Sequence, residues 1–216
     1  MTTEMFLNWI LLIIGGYLLG SVMFCRLICL AFWKTDICKV SDDGNPGAAN
    51  AFWYCGKLAG AIGLVCDLLK GFLPVFIAIK FLDYNGLMFA LTMLAPVLGH
   101  AFSIFHGFMG GKCIATIYGE LFALFLTWVC PILIVVLGFC NVLFEFVIKL
   151  LPGNKRAFVM FSILILASIP VCIYANQLSI LIGVVGISMV AMMKHLPIYA
   201  TDDKKHKNIK KARLAK

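Results

Sequence analysis

Charge is scarce in this chain: Asp, Glu, Lys and Arg together make up 13% of 216 residues, against 62% hydrophobic residues and a mean hydropathy of +1.01. A soluble domain of this length cannot bury so much apolar surface, which excludes a water-soluble globular protein. Strict apolar–polar alternation is also missing, so a closed β-barrel is excluded; the apolar runs are continuous and of about 20 residues, the length that crosses a bilayer as helix. The nine cysteines show no CxxC spacing and lie mostly inside apolar segments, where they read as small packing residues. His100 and His106 stand apart from other ligand types, so no metal site is expected. No internal repeat or low-complexity segment divides residues 1–200, which read as one membrane domain followed by a basic tail, residues 201–216. No Lys or Arg precedes the first apolar run, which carries Glu4 and is too long for a secretory leader.

What is present is the pattern of an all-α integral membrane protein with about seven transmembrane helices. The run from Met5 to Trp33 reads as one retained helix. Further spans are expected at about Leu58 to Phe81, Gly86 to Phe105, Ala157 to Tyr174 and Leu178 to Met193. The stretch from Ile114 to Leu150 carries Cys130-Pro131 at its middle, where proline ends or kinks a helix, and reads as two short spans. Lys34, Lys39, Lys57, Lys112, Lys149, Lys155, Arg156 and the tail then share one side, with Lys80 on the other. The positive-inside bias places the N-terminus outside and the C-terminus in the cytoplasm. The net charge of +8 sits mostly in the tail, where topology and attraction to anionic lipid account for it; no nucleic-acid partner is expected.

Under that topology the informative polar segments share the cytoplasmic face. The first loop, "SDDGNPGAAN", holds Asp43, Gly44, Asn45, Gly47 and Asn50, and Asn45-Pro46-Gly47 has tight-turn chemistry. Such a loop is either a solvated connector or, if it dips inward, the frame of a site, since irregular backbone at membrane depth must line a cavity or be buried in protein. "GGKCIAT" leads Gly110, Gly111 and Lys112 into a helix: successive N–H groups, the helix N-terminus and a lysine suit an oxyanion, and Thr116 lies four residues on, expected on the same face. The spacing is not that of a Walker A loop. Asp67 and Lys70 sit inside the second span, where charge is costly, either as an internal ion pair or with Lys70 facing the Lys112 cavity. Arg26 and Glu120 are candidates for the same wall.

The order of "GSVMF", "GNPGAAN", "GKLAGAIGLVCDLLKGFLPV", "LGHAFSIFHGFMGGKCIAT" and "HKNIKK" resembles the bacterial membrane glycerol-3-phosphate acyltransferases that use acyl-phosphate donors, the PlsY family. The resemblance implies a multi-pass protein of the bacterial cell membrane that moves a fatty acyl group from acyl-phosphate to the 1-hydroxyl of glycerol 3-phosphate. The product would be lysophosphatidic acid, made in phospholipid biosynthesis without a cofactor. With that resemblance Asp43, Asn45 and Lys112 are the candidate catalytic residues; the general-base role of Asp43 comes from the chemistry of a carboxylate and not from the family, and the same carboxylate would repel both substrates. Gly44, Gly47, Asn50, Lys70, His100, Gly110, Gly111, Thr116, His206 and Asn208 become candidate substrate-binding residues, and membrane lipid the surrounding partner. Against the family pattern, Asp43 stands at a serine position, Ala49 at threonine, Trp53 at arginine, and Cys113 interrupts GGKG. Two other readings remain open: a catalytically silent relative that binds phosphate-bearing lipid precursors, and a small transporter with Asp67 and Lys70 along its path. Acyl-chain preference and oligomeric state are not encoded in any motif.

Overall fold

The computed structural model describes residues 2–128, 130–146 and 153–196, and among these the regular structure is entirely helical. The order is α1 (Thr3–Ser21), α2 (Phe24–Trp33), α3 (Ile37–Val40), α4 (Ala48–Cys55), α5 (Lys57–Phe81), α6 (Leu87–Ala101), a 3-10 turn (Ile104–His106), α7 (Ile114–Leu126), α8 (Ile132–Phe146), α9 (Gly153–Tyr174) and α10 (Leu178–Lys194). By length and composition α1, α5, the segment Leu87–His106 and Lys155–Tyr174 can each cross a membrane; α2, α7 and α10 are shorter and apolar. Many large apolar side chains are left exposed on these helices, aliphatic ones such as Leu11, Ile14, Val65 and Leu166 and aromatic ones such as Phe6, Phe32 and Phe81, as suits a lipid-facing surface.

The expected break at Cys130-Pro131 separates α7 from α8. The first run, however, is not one helix. It unwinds at Val22 and Met23, both in non-helical conformations, and resumes as α2. The reason is tertiary: Lys70 Nζ donates to the Val22 carbonyl at 2.8 Å, and Ser103 Oγ donates to the Ser21 carbonyl at 2.6 Å. Carbonyls that an unbroken helix would use internally are thus satisfied from α5 and from the segment after α6. Tyr17, which donates to the Phe102 carbonyl at 2.9 Å, fixes the same junction.

Two close packings set the frame. α1 crosses α6 where Gly20 faces the Pro96 backbone and Gly99 faces that of Tyr17, with no room for a Cβ on either glycine. α5 runs against α7 at Gly71 and Gly119, while the Asp67–Lys70 pair of α5, Nζ to Oδ1 at 2.9 Å and both side chains almost fully buried, faces the α1–α2 junction at Val22 and Cys25. The helices therefore hold the loop before α4 and the loop before α7 at one end of the bundle, close enough to touch.

Candidate functional site

The loop ahead of α4 is built around one carboxylate. Asp43 Oδ1 accepts from the Asn45 backbone N–H at 3.1 Å and from Asn50 Nδ2 at 2.8 Å, and Asn50 Nδ2 also reaches the Asn45 carbonyl at 2.8 Å. This is an Asx-type turn, with Gly44 at φ 60° supplying the left-handed residue that it needs. Across from it, Lys112 Nζ meets Asp43 Oδ2 at 2.8 Å. Asn45 and Lys112, far apart in the chain, thus share one end of the bundle. Burial pushes the Asp43 carboxyl up, but the hydrogen bonds from Lys112 and Asn50 outweigh it and hold the group below the usual carboxylate range. A carboxylate so held is a weak proton acceptor.

Lys112 and Asp43 open onto a cavity of ≈ 550 Å³ whose polar lining comprises Asp43, Asn45, Asp67, His100, Lys112 and His195, with Gly47, Ala48 and Leu64 among the remaining walls. His100 is buried and its Nδ1 has no hydrogen-bond partner among the described residues. His195 Nδ1 lies 2.7 Å from the Ala191 carbonyl, a contact that requires it to carry the proton and leaves Nε2 a lone-pair acceptor. Neither His195 nor Asp67 was singled out by sequence as part of the site. The signal for His195 was only its position at the end of the last apolar run; Asp67 read as half of an ion pair.

The glycine pair behaves differently from the expected anion nest. Gly111 N–H donates to the His100 carbonyl at 2.9 Å, so it is already spent, and a Cβ on Gly110 or Gly111 would collide with His100. The two glycines let the loop before α7 lie directly on His100; they are not among the residues lining the cavity. Nor does Lys112 share a helix face with Thr116. α7 begins only at Ile114, because Cys113 is left-handed, φ 66°, and Thr116 is buried against α5 at Gly71. Lys70 lies beside the cavity rather than in its lining, engaged by Asp67 and Val22. Arg26 forms a two-point pair with Asp36, and Glu120 is enclosed within α7 with no hydrogen-bond partner among the described residues. His206 and Asn208 lie outside the described residues. Among the described residues no three His, Cys, Asp or Glu side chains group as a metal site.

A second cavity adjoins the first. It measures ≈ 740 Å³, is lined by Leu64, Val65, Leu68, Leu69 and Phe72 of α5, by Ala115, Tyr118, Gly119 and Phe122 of α7, and by Ile134 of α8, and presents no polar surface. Leu64 and Ala115 line both cavities. A polar cup and an oily slot therefore share one wall, a shape that suits an amphiphile whose reactive group lies at the junction of its head and tail.

Residues 10–201 match the family model described as glycerol-3-phosphate acyltransferase. A glycerol-3-phosphate acyltransferase of Francisella tularensis subsp. holarctica is 42% identical over 135 residues, 62% of this chain and 64% of that protein. One from Photobacterium profundum is 44% identical over 112 residues, 52% of this chain and 54% of its own. The aligned stretch thus spans less than two thirds of these curated relatives. The crystal structure of PlsY, an integral membrane glycerol 3-phosphate acyltransferase, superposes in its glycerol 3-phosphate form with a TM-score of 0.73 at 28% identity, covering 87% of this chain and 88% of that one. Its lysophosphatidic acid form gives 0.71 at 27% identity, over 88% and 89%. With a family match that runs from within α1 to beyond α10, this multi-pass membrane protein belongs to the glycerol-3-phosphate acyltransferase family.

Proposed function

We propose that the chain transfers a fatty acyl group from an acyl-phosphate to the 1-hydroxyl of glycerol 3-phosphate, yielding lysophosphatidic acid and inorganic phosphate. The observation that carries this reading is the shared Leu64–Ala115 wall between an apolar slot and a cup holding Lys112, Asn45, His100 and His195. The acyl tail lies in the slot and the mixed-anhydride carbonyl sits at the wall. Both phosphates face the cup. The acceptor oxygen bonds to the acyl carbon as the carbon–oxygen bond to phosphate breaks; the leaving phosphate takes the electron pair, and the hydroxyl proton leaves with it in the overall balance. Because the donor is already activated, no covalent enzyme intermediate is needed, and the protein's share is positioning and charge stabilisation. Cys113 fits this scheme as a packing residue, its thiol turned to the carbonyls of Val97 and Gly111.

In this reading the cup faces the cytoplasm, with the N-terminus outside, as the loop lysines favour. Asn45, Asn50 and Lys112 hold and orient substrate, while Gly44 and Gly47 shape the first loop and Gly110 and Gly111 the His100 wall. Lys70 and Thr116 support the cup from α5 and α7, and His206 and Asn208 are the tail's candidate substrate-binding residues. Purified protein in detergent, supplied with acyl-phosphate and labelled glycerol 3-phosphate, forms labelled lysophosphatidic acid; absence of product from both the native chain and proteoliposomes containing it overturns the assignment.

A further inference from the structure

The donors suited to a substrate oxyanion already hold an oxyanion of the chain itself. Asp43 takes Lys112 Nζ on one oxygen, and Asn50 Nδ2 and the Asn45 N–H on the other. Charge, planar shape and two adjacent acceptor oxygens make a carboxylate a fair substitute for one edge of a phosphate. The pair is within reach of solute, with Lys112 37% and Asp43 34% exposed, and both residues line the cavity. Asn50 Nδ2 keeps its second bond to the Asn45 carbonyl when the carboxylate is drawn away, so that donor stays anchored to the loop backbone while the Asn45 N–H is released to the incoming anion. We propose that Asp43 is an internal ligand of the anion cup and sets the site's affinity for the phosphate-bearing acceptor by competing with it for Lys112 and Asn50. This rests on the acyltransferase reading. It makes Asp43 a specificity-determining residue, and it differs from a proton-accepting role in what its removal does: a competitor taken away tightens binding, whereas a base taken away stops the reaction.

Asp43→Asn keeps the size of the side chain and one carbonyl acceptor but removes the charge. With the acyl-phosphate donor saturating, KM for glycerol 3-phosphate falls by about threefold to tenfold while kcat stays within about twofold, the scale expected for a partly exposed pair. Competitive inhibition by inorganic phosphate tightens by the same factor, and Asp43→Asn adds nothing in a Lys112→Met background. An unchanged or raised KM overturns the proposal, as does a fall in kcat of about a hundredfold at constant KM, the signature of a lost base. Asp43→Ser, checked for native thermal unfolding, repeats the measurement should the asparagine variant not fold. If neither native nor variant protein turns over, calorimetric titration with inorganic phosphate decides: tighter binding by the variant sustains the internal ligand while the enzyme assignment fails, and equal binding removes it. Turnover by both with identical KM removes the internal ligand and leaves the enzyme assignment standing.

Discussion

Lys112 is fixed from two directions, by its ion pair with Asp43 and by a backbone that turns left-handed at Cys113 before α7 can start. The first makes it a preorganised donor, so Lys112→Ala is expected to lower kcat/KM by about 10²–10³ in the lysophosphatidate assay. The second explains what the family pattern only records: a glycine suits the position after Lys112 because φ is 66° there. Cys113→Gly relieves left-handed strain of about 1 kcal/mol and loses a buried thiol of similar worth, so its unfolding temperature in detergent stays near native, whereas the β-branched Cys113→Val lowers it. Asp43 links the pair to pH. Its folded pKa lies below the ordinary aspartate value of about 3.9, so the clamp's contribution to stability is fully present above that value and is lost as pH falls through the folded pKa. Thermal melts from pH 6 downward should therefore show a steeper acid decline for the native chain than for Asp43→Asn.

Helices as units carry the slot and its dimensions. Leu64, Leu68 and Phe72 follow one face of α5, Ala115, Tyr118 and Phe122 one face of α7, and Phe72 and Phe122 meet at the far end with ring centroids 6.0 Å apart. About eight residues at 1.5 Å of rise separate the shared wall from that aromatic floor, a depth of about 12 Å. Phe122→Ala removes the floor, and competition assays with donors of different length should shift toward longer chains. Between α5 and the α1–α2 junction, Lys70→Met strands Asp67 without its cation and is expected to destabilise by about 3–5 kcal/mol, with much of the loss recovered by adding Asp67→Asn. Elements of this kind were only partly legible in the sequence. α5, α6, α9 and α10 announce themselves as apolar runs between polar punctuation, and Pro131 marks the α7–α8 break, because these are local properties. The break at Val22 has no proline and only modest local signals, since Lys70 and Ser103 impose it from elsewhere. Asp43, Asn45 and Lys112 stood out as polar groups in a greasy chain, yet only folding reveals that Asp43 faces Lys112, and that Gly111 spends its N–H on His100.

At the scale of the whole molecule, the loops bearing Asp43 and Lys112 meet at one end, and the proposed orientation, read from the basic residues, puts that end in the cytoplasm. An epitope tag at the N-terminus should be protease-accessible from outside intact cells and one at the C-terminus protected; the reverse pattern would place the cup on the wrong face for a cytosolic acceptor. The interrupted first run also bears on how such a chain is made. The carbonyls of Ser21 and Val22 enter the bilayer early in synthesis, but the hydroxyl and ammonium that bond them belong to Ser103 and Lys70, which emerge later. Until then these two carbonyls, at the end of the span Thr3–Ser21, have to be satisfied another way, by helix continuity or by water. The break between α1 and α2 therefore takes its mature form only once α5 and the segment after α6 have docked on it.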